Sequence, residues 1–89
     1  MLLLNLQNAR TLADIIVTDK ANRRDFYTEF DIEALCRKHN LDYVPMKSLV
    51  HSLNECRQVK EAYISQVDID FGETYGGETI DVVDIRYAR

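Results

Sequence analysis

Two cysteines and two histidines are the first candidates for chemistry. Cys36, His39, His51 and Cys56 follow a C-x2-H-x11-H-x4-C spacing, and mixed sulfur and nitrogen donors are what tetrahedral zinc favours. Helix geometry argues against a shared site. His51 and Cys56 are five residues apart, which separates them by about 140° around a helix, and Cys36 falls on an apolar stripe while His51 falls on a polar one. The four therefore read as a buried cysteine with dispersed surface groups, and neither a metal nor a cofactor is expected. A second cluster, Asp68, Asp70, Asp81 and Asp84, occupies two segments of alternating pattern. If Asp70 opposes Asp81 in a hairpin, like charges face each other. Such carboxylates could hold a divalent cation or meet a basic partner, and the plainest reading is a sheet face kept soluble by acid. No serine–histidine–aspartate arrangement, phosphate loop or activated cysteine is present, so no enzyme is expected.

The elements that must position these residues follow from periodicity. Leu6, Ala9, Leu12, Ala13, Ile16 and Val17 recur at three- and four-residue spacing and form one face of a helix, with Asn5 or Asn8 as its expected cap. Thr18–Asp25 is polar and reads as a loop, and the alternating Phe26–Phe30 reads as a short strand. Asp31 is the expected cap of a second helix that runs to about His39 and buries Ile32, Leu35 and Cys36. Asn40 suits the left-handed residue that stops a helix. Leu41 turns back to the core. Asp42 then caps a third helix with Pro45 in its first turn. Met46, Leu49, Val50 and Leu53 give that helix an apolar stripe, opposite Lys47, Ser48, His51 and Glu55. Beyond Val59 the period changes to two, with Tyr63, Val67, Ile69 and Phe71 on one face. Gly72–Thr79 is turn-rich, and the return strand shifts phase at Val82-Val83, where a β-bulge or strand break is expected.

Bulk properties bound the class. Eighty-nine residues, 46% apolar and 29% charged, suit a single folded domain over residues 1–89. The apolar run at Leu2-Leu3-Leu4 is far short of the ~20 residues that span a bilayer. With two cysteines and no leader pattern, a cytoplasmic protein with reduced thiols and no membrane contact is expected. The net charge of −4 is unevenly spread: residues 1–60 carry nine basic and eight acidic side chains, and residues 61–89 carry two and seven.

Leu35, Cys36, Asn40 and Leu41, followed by Met46, Val50 and Leu53 and then by Val59 opening a strand, resemble the helix-turn-helix pattern of the winged helix-turn-helix superfamily. Asn40 stands where that pattern commonly has Gly, and His39 where it is usually apolar. The resemblance implies an α+β, three-helix winged helix-turn-helix-like domain with a C-terminal β-hairpin, its second and third helices joined by a tight turn. It further implies a small regulator of transcription that places its third helix in the major groove of duplex DNA. The thin positive charge adds the expectation of a homodimer, in which two weak half-sites reinforce each other. The residues so placed are Tyr43, Lys47, Ser48 and His51, with Arg37, Lys38 and Arg57 reaching phosphates. Charge supports a different role. Asp68, Asp70, Asp81, Asp84 and Tyr75 would serve a protein-protein interaction module or inhibitor that docks its acidic hairpin on a basic protein surface. Phosphate neutralisation dominates non-specific DNA affinity, and an acidic hairpin lowers it.

Overall fold

The computed structural model describes residues 2–21, 23–69 and 78–88. Helix α1 spans Leu2–Thr18, strand β1 Phe26–Thr28, helix α2 Glu29–Lys38, helix α3 Met46–Asn54, strand β2 Val59–Ile69 and strand β3 Glu78–Tyr87. All three strands form one antiparallel sheet in the order β1-β3-β2.

The apolar stripe of α1 does what its spacing predicts: Ala9, Leu12, Ala13, Ile16 and Val17 are buried. Leu6 remains 41% exposed, and Asn5 and Asn8 lie inside the helix instead of capping it. At the other end Arg23 donates to the Val17 carbonyl at 3.5 Å, satisfying one of the acceptors a helix end leaves free.

Helix α2 starts earlier than expected. Its N-cap is Thr28, whose hydroxyl accepts from the Asp31 N–H at 3.1 Å while the Asp31 carboxylate accepts from the Thr28 N–H at 3.0 Å. Asp31 is thus the third residue of a capping box, and Arg24 adds an ion pair to it at 3.0 Å. The helix ends at Lys38 with His39 as its C-cap, and Asn40 follows in the left-handed region at φ 56°. The Leu41 N–H reaches the Cys36 carbonyl at 2.8 Å and the Asn40 N–H the Arg37 carbonyl at 3.3 Å, the paired bonds of a Schellman stop.

The connection to α3 is extended. Residues 41–45 have no regular structure, Val44 is fully buried within them, and Pro45, at φ −64° and ψ 151°, is itself the N-cap. Asp42 is exposed and caps nothing. Leu49 and Leu53 are completely buried, and Met46, Val50 and Leu41 pack half-buried against the core.

The winged helix-turn-helix architecture expected from the sequence is therefore corrected. The described residues form a small α+β fold of three helices and a three-stranded antiparallel sheet, all helices preceding the two long strands. Two findings overturn the expectation. No tight turn joins α2 to α3, because burial of Val44 stretches the connector and Pro45 keeps α3 from growing backward. The C-terminal strands are not a hairpin standing alone, because β1 pairs with β3 through Phe26↔Asp84, Tyr27↔Val83 and Thr28↔Val82.

The strand register also differs. Pairing of β2 with β3 runs without interruption from Glu61↔Arg86 to Ile69↔Glu78, and the irregularity lies between Val59 and Glu61. No bulge occurs at Val82-Val83. Both valines are fully buried because β3 is the central strand. Val83 and Ile85 face the helices with Tyr27 and Ala62, and Val82 lies on the other face, outside the main core.

Candidate interaction surfaces

The exposed side of α3 carries the residues expected to meet DNA. Lys47 and His51 are exposed and Ser48 is half-buried. The His51 ring lies 3.7 Å from Glu55, which also meets Arg10 of α1 at 3.8 Å. On α2, Arg37 pairs with Glu33 one turn away at 3.5 Å. Lys38, Lys47 and Arg57 are exposed and have no carboxylate partner among the described residues. Tyr43 precedes α3 and donates its hydroxyl to Glu29 at 3.4 Å. Desolvation and then the Glu29 carboxylate push its phenol above the ordinary range. Acid therefore flanks the start of α3.

The aspartates expected to act together are divided by the sheet. Asp68 faces Thr79, and Asp81 faces Gln66, which donates to it at 3.2 Å. Both lie on the face of the sheet that carries Ala62 and Ile85. Asp84 lies on the opposite face, half-buried between Phe26 and Tyr63. The register gives Asp81 a neutral partner in place of Asp70. Asp70 and Tyr75 lie outside the described residues.

The sulfur and nitrogen donors are dispersed. Cys36 is buried on α2, His39 is its exposed C-cap, His51 lies on the solvent side of α3, and Cys56 donates to the Ser52 carbonyl at 3.4 Å. Burial raises both thiols above the ordinary range, which opposes thiolate formation. Among the described residues no group of three metal-ligating side chains converges.

One groove escaped the sequence reading. Strand β1 ends at Thr28 and turns at once into α2, so among the described residues no strand pairs with that side of β3 before Val82. A space of about 250 Å³ opens there, with Phe30, Met46 and Ile80 as apolar lining and Glu29 and Asp81 as carboxylates. Phe30 is 81% exposed. The strand edge is open as well. The Ile85 N–H donates to the Asp25 carbonyl across from β1 at 2.7 Å, so odd-numbered residues of β3 direct their backbone groups to that side, Asp81 among them. A second cavity of about 220 Å³ lies between α1 and α2. Arg24 and Asp31 of its lining pair with each other at 3.0 Å.

No family model, curated protein or solved structure matches the chain. Among the described residues no helix is long and apolar enough to cross a membrane.

Phe30 was hidden by its own sequence context. Phe26, Tyr27 and Phe30 read together as strand-like aromatic alternation, yet the strand stops at Thr28 and Phe30 enters the first turn of α2. The adjoining Asp31 capping box was the available signal, because a box closed on Thr28 puts Phe30 at the second helical position.

Proposed function

We propose that this protein is a non-enzymatic interaction module that takes a basic, apolar-bearing segment of a partner protein in the groove beside β3. The observation that carries this reading is Phe30, a large aromatic left 81% exposed between the carboxylates of Glu29 and Asp81. Aromatic anchors in a partly enclosed site dominate interface energies, and flanking charge selects the partner and speeds its arrival. The open backbone edge of β3 at Asp81 offers main-chain hydrogen bonds to an extended segment, as in strand addition. The acid excess of residues 61–89 supports the same reading.

DNA binding through α3 is the second reading, favoured by one observation: Lys38, Lys47 and Arg57 remain unpaired and exposed among the described residues. It would use Tyr43, Lys47, Ser48 and His51 at base edges, with the chain acting as a regulator of transcription. The paired state of Arg37 and His51 and the Tyr43–Glu29 bond weaken it.

Fluorescence anisotropy separates the two. The probes are a short labelled peptide carrying leucines flanked by lysines, its counterpart with glutamates, and a random DNA duplex at low salt. The groove reading expects the lysine peptide to bind and the glutamate peptide not to, with affinity falling about tenfold or more in Phe30→Ala and in Asp81→Asn, a loss of ~1.4 kcal/mol or greater. Duplex binding tighter than about 10⁻⁴ M, lost in Lys47→Ala/His51→Ala and kept in Phe30→Ala, overturns it and establishes the second reading.

A further inference from the structure

The outer edge of β2 has a division built into it. Since odd residues of β3 point to β1, even ones point to β2, and β2 meets them with Tyr63, Ser65 and Val67 through Tyr63↔Asp84, Ser65↔Val82 and Val67↔Ile80. The even residues Ala62, Ile64, Gln66 and Asp68 therefore direct their N–H and C=O groups away from the sheet. Asn54, the last residue of α3, confirms the parity. Its side-chain amide donates to the Ala62 carbonyl at 2.9 Å and its side-chain oxygen accepts from the Ala62 N–H at 2.8 Å. One carboxamide thus stands in for a neighbouring strand at that residue. Nothing among the described residues bonds to the outward backbone groups of Ile64, Gln66 and Asp68. Ile64 is 39% exposed.

Edges of this kind are usually blunted by proline, bulges or several charges. From Glu61 to Asp68 the strand has no proline, its register is unbroken, and Asp68 is the one charge among the open residues. We infer that the open half of β2 pairs antiparallel with β2 of a second copy of this chain, centred on Gln66, to make a continuous six-stranded sheet. The register follows from the Asn54 clamp. Outward residues must meet outward residues, Ala62 is taken, and only a two-fold axis at Gln66 engages Ile64, Gln66 and Asp68 of both copies together. Gln66 then faces Gln66, and Asp68 of each copy faces Ile64 of the other. No like charges are opposed, whereas an axis that set Asp68 against Asp68 would oppose them at its centre. That self-complementarity is what selects a second copy as the occupant, and an isologous contact of this kind closes as a dimer and does not propagate.

Light scattering of the whole chain, measured from micromolar to millimolar concentration, tests the pairing. The apparent mass should rise toward twice the monomer value. Gln66→Pro removes an N–H that β3 does not use, which an edge strand tolerates, and should weaken association about tenfold or more, or ~1.4 kcal/mol, with the far-ultraviolet circular dichroism unchanged. Ile64→Asp places acid opposite Asp68 of the second copy and should weaken association similarly, whereas Ile64→Lys should preserve or tighten it. This pair of variants reads the register even if the proline variant fails to fold. A chain that stays monomeric at millimolar concentration overturns the inference, and so does a dimer indifferent to both Ile64 variants. Neither result depends on whether the β3 groove binds a peptide.

Discussion

Helices α3 and α2 make opposite use of their apolar residues. The core-facing stripe of α3 is spent on packing: Leu49 and Leu53 are fully buried and Met46 and Val50 half-buried, and its outer side is left with Lys47, Ser48 and His51. Helix α2 buries Ile32 and Cys36 yet leaves Phe30 in solvent. An exposed lysine or serine is ordinary for a folded surface, whereas Phe30 joins Met46 and Ile80 in one apolar patch, which is the more informative kind of exposure. Helix α3 displays what any solvated helix displays, whereas α2 displays a residue whose exposure folding does not require.

The contrast can be broken most severely at Leu53. Its truncation to alanine removes a fully buried side chain and should cost about 2–5 kcal/mol, read as a lower denaturant midpoint at constant m-value. An unchanged midpoint would mean α3 packs otherwise than described. Thr28→Ala tests the start of α2. It deletes the acceptor for the Asp31 N–H and should cost about 1 kcal/mol, and Thr28→Ser should restore most of it.

A third test uses pH. Burial, reinforced by Tyr27, pushes the Tyr87 phenol well above its ordinary value, while Arg23, stacked 4.1 Å over the ring, acts in the opposite direction. Its neutral hydroxyl donates to the Arg24 carbonyl at 2.6 Å. A folded-state pKa above the unfolded one means this contribution is complete below about pH 10 and is lost as pH rises toward the folded value. Stability should therefore fall above pH 10 in the parent and fall less steeply in Tyr87→Phe. The smallest effect belongs to Phe30. Its replacement by alanine should change stability by no more than about 0.5 kcal/mol. A larger loss would show that Phe30 packs against the fold, and the contrast with Leu53 would disappear.

How much of this was legible in the sequence varies by residue. The buried faces of α1 and α3 were readable, because three- and four-residue spacing leaves little freedom once a helix forms. Asn40 was readable too, since few residues accept a positive φ and its place after His39 suits a helix stop. The start of α2 was misplaced by three residues because Asp31 and Thr28 are both competent caps. Only the reciprocal bonds between them decide which is which. Val82-Val83 misled for a reason of position. Alternation predicts a half-buried strand, and β3, lying between two neighbours, is buried on both faces at that point. At the candidate sites, exposure of Lys47, His51 and Asp81 followed from pattern. The division of Asp81 from Asp84 did not, since a bulge at Val82-Val83 would put both on one face, and β3 runs through that point without one. The groove depends on where β1 stops, and the open half of β2 on where Asn54 reaches. Both are tertiary facts with no local signature.

The placement of β3 has a consequence for synthesis. Both of its neighbours precede it in the chain, β1 by more than fifty residues, so neither can join the sheet until β3 has left the ribosome. The three helices can begin to pack on one another earlier, since their contacts close shorter loops. Pairings of such long sequence separation form slowly, and until they form, Tyr27, Ala62 and the open backbone of β2 remain exposed together. The interval before β3 pairs on both sides is thus the period in which the chain is most prone to aggregate.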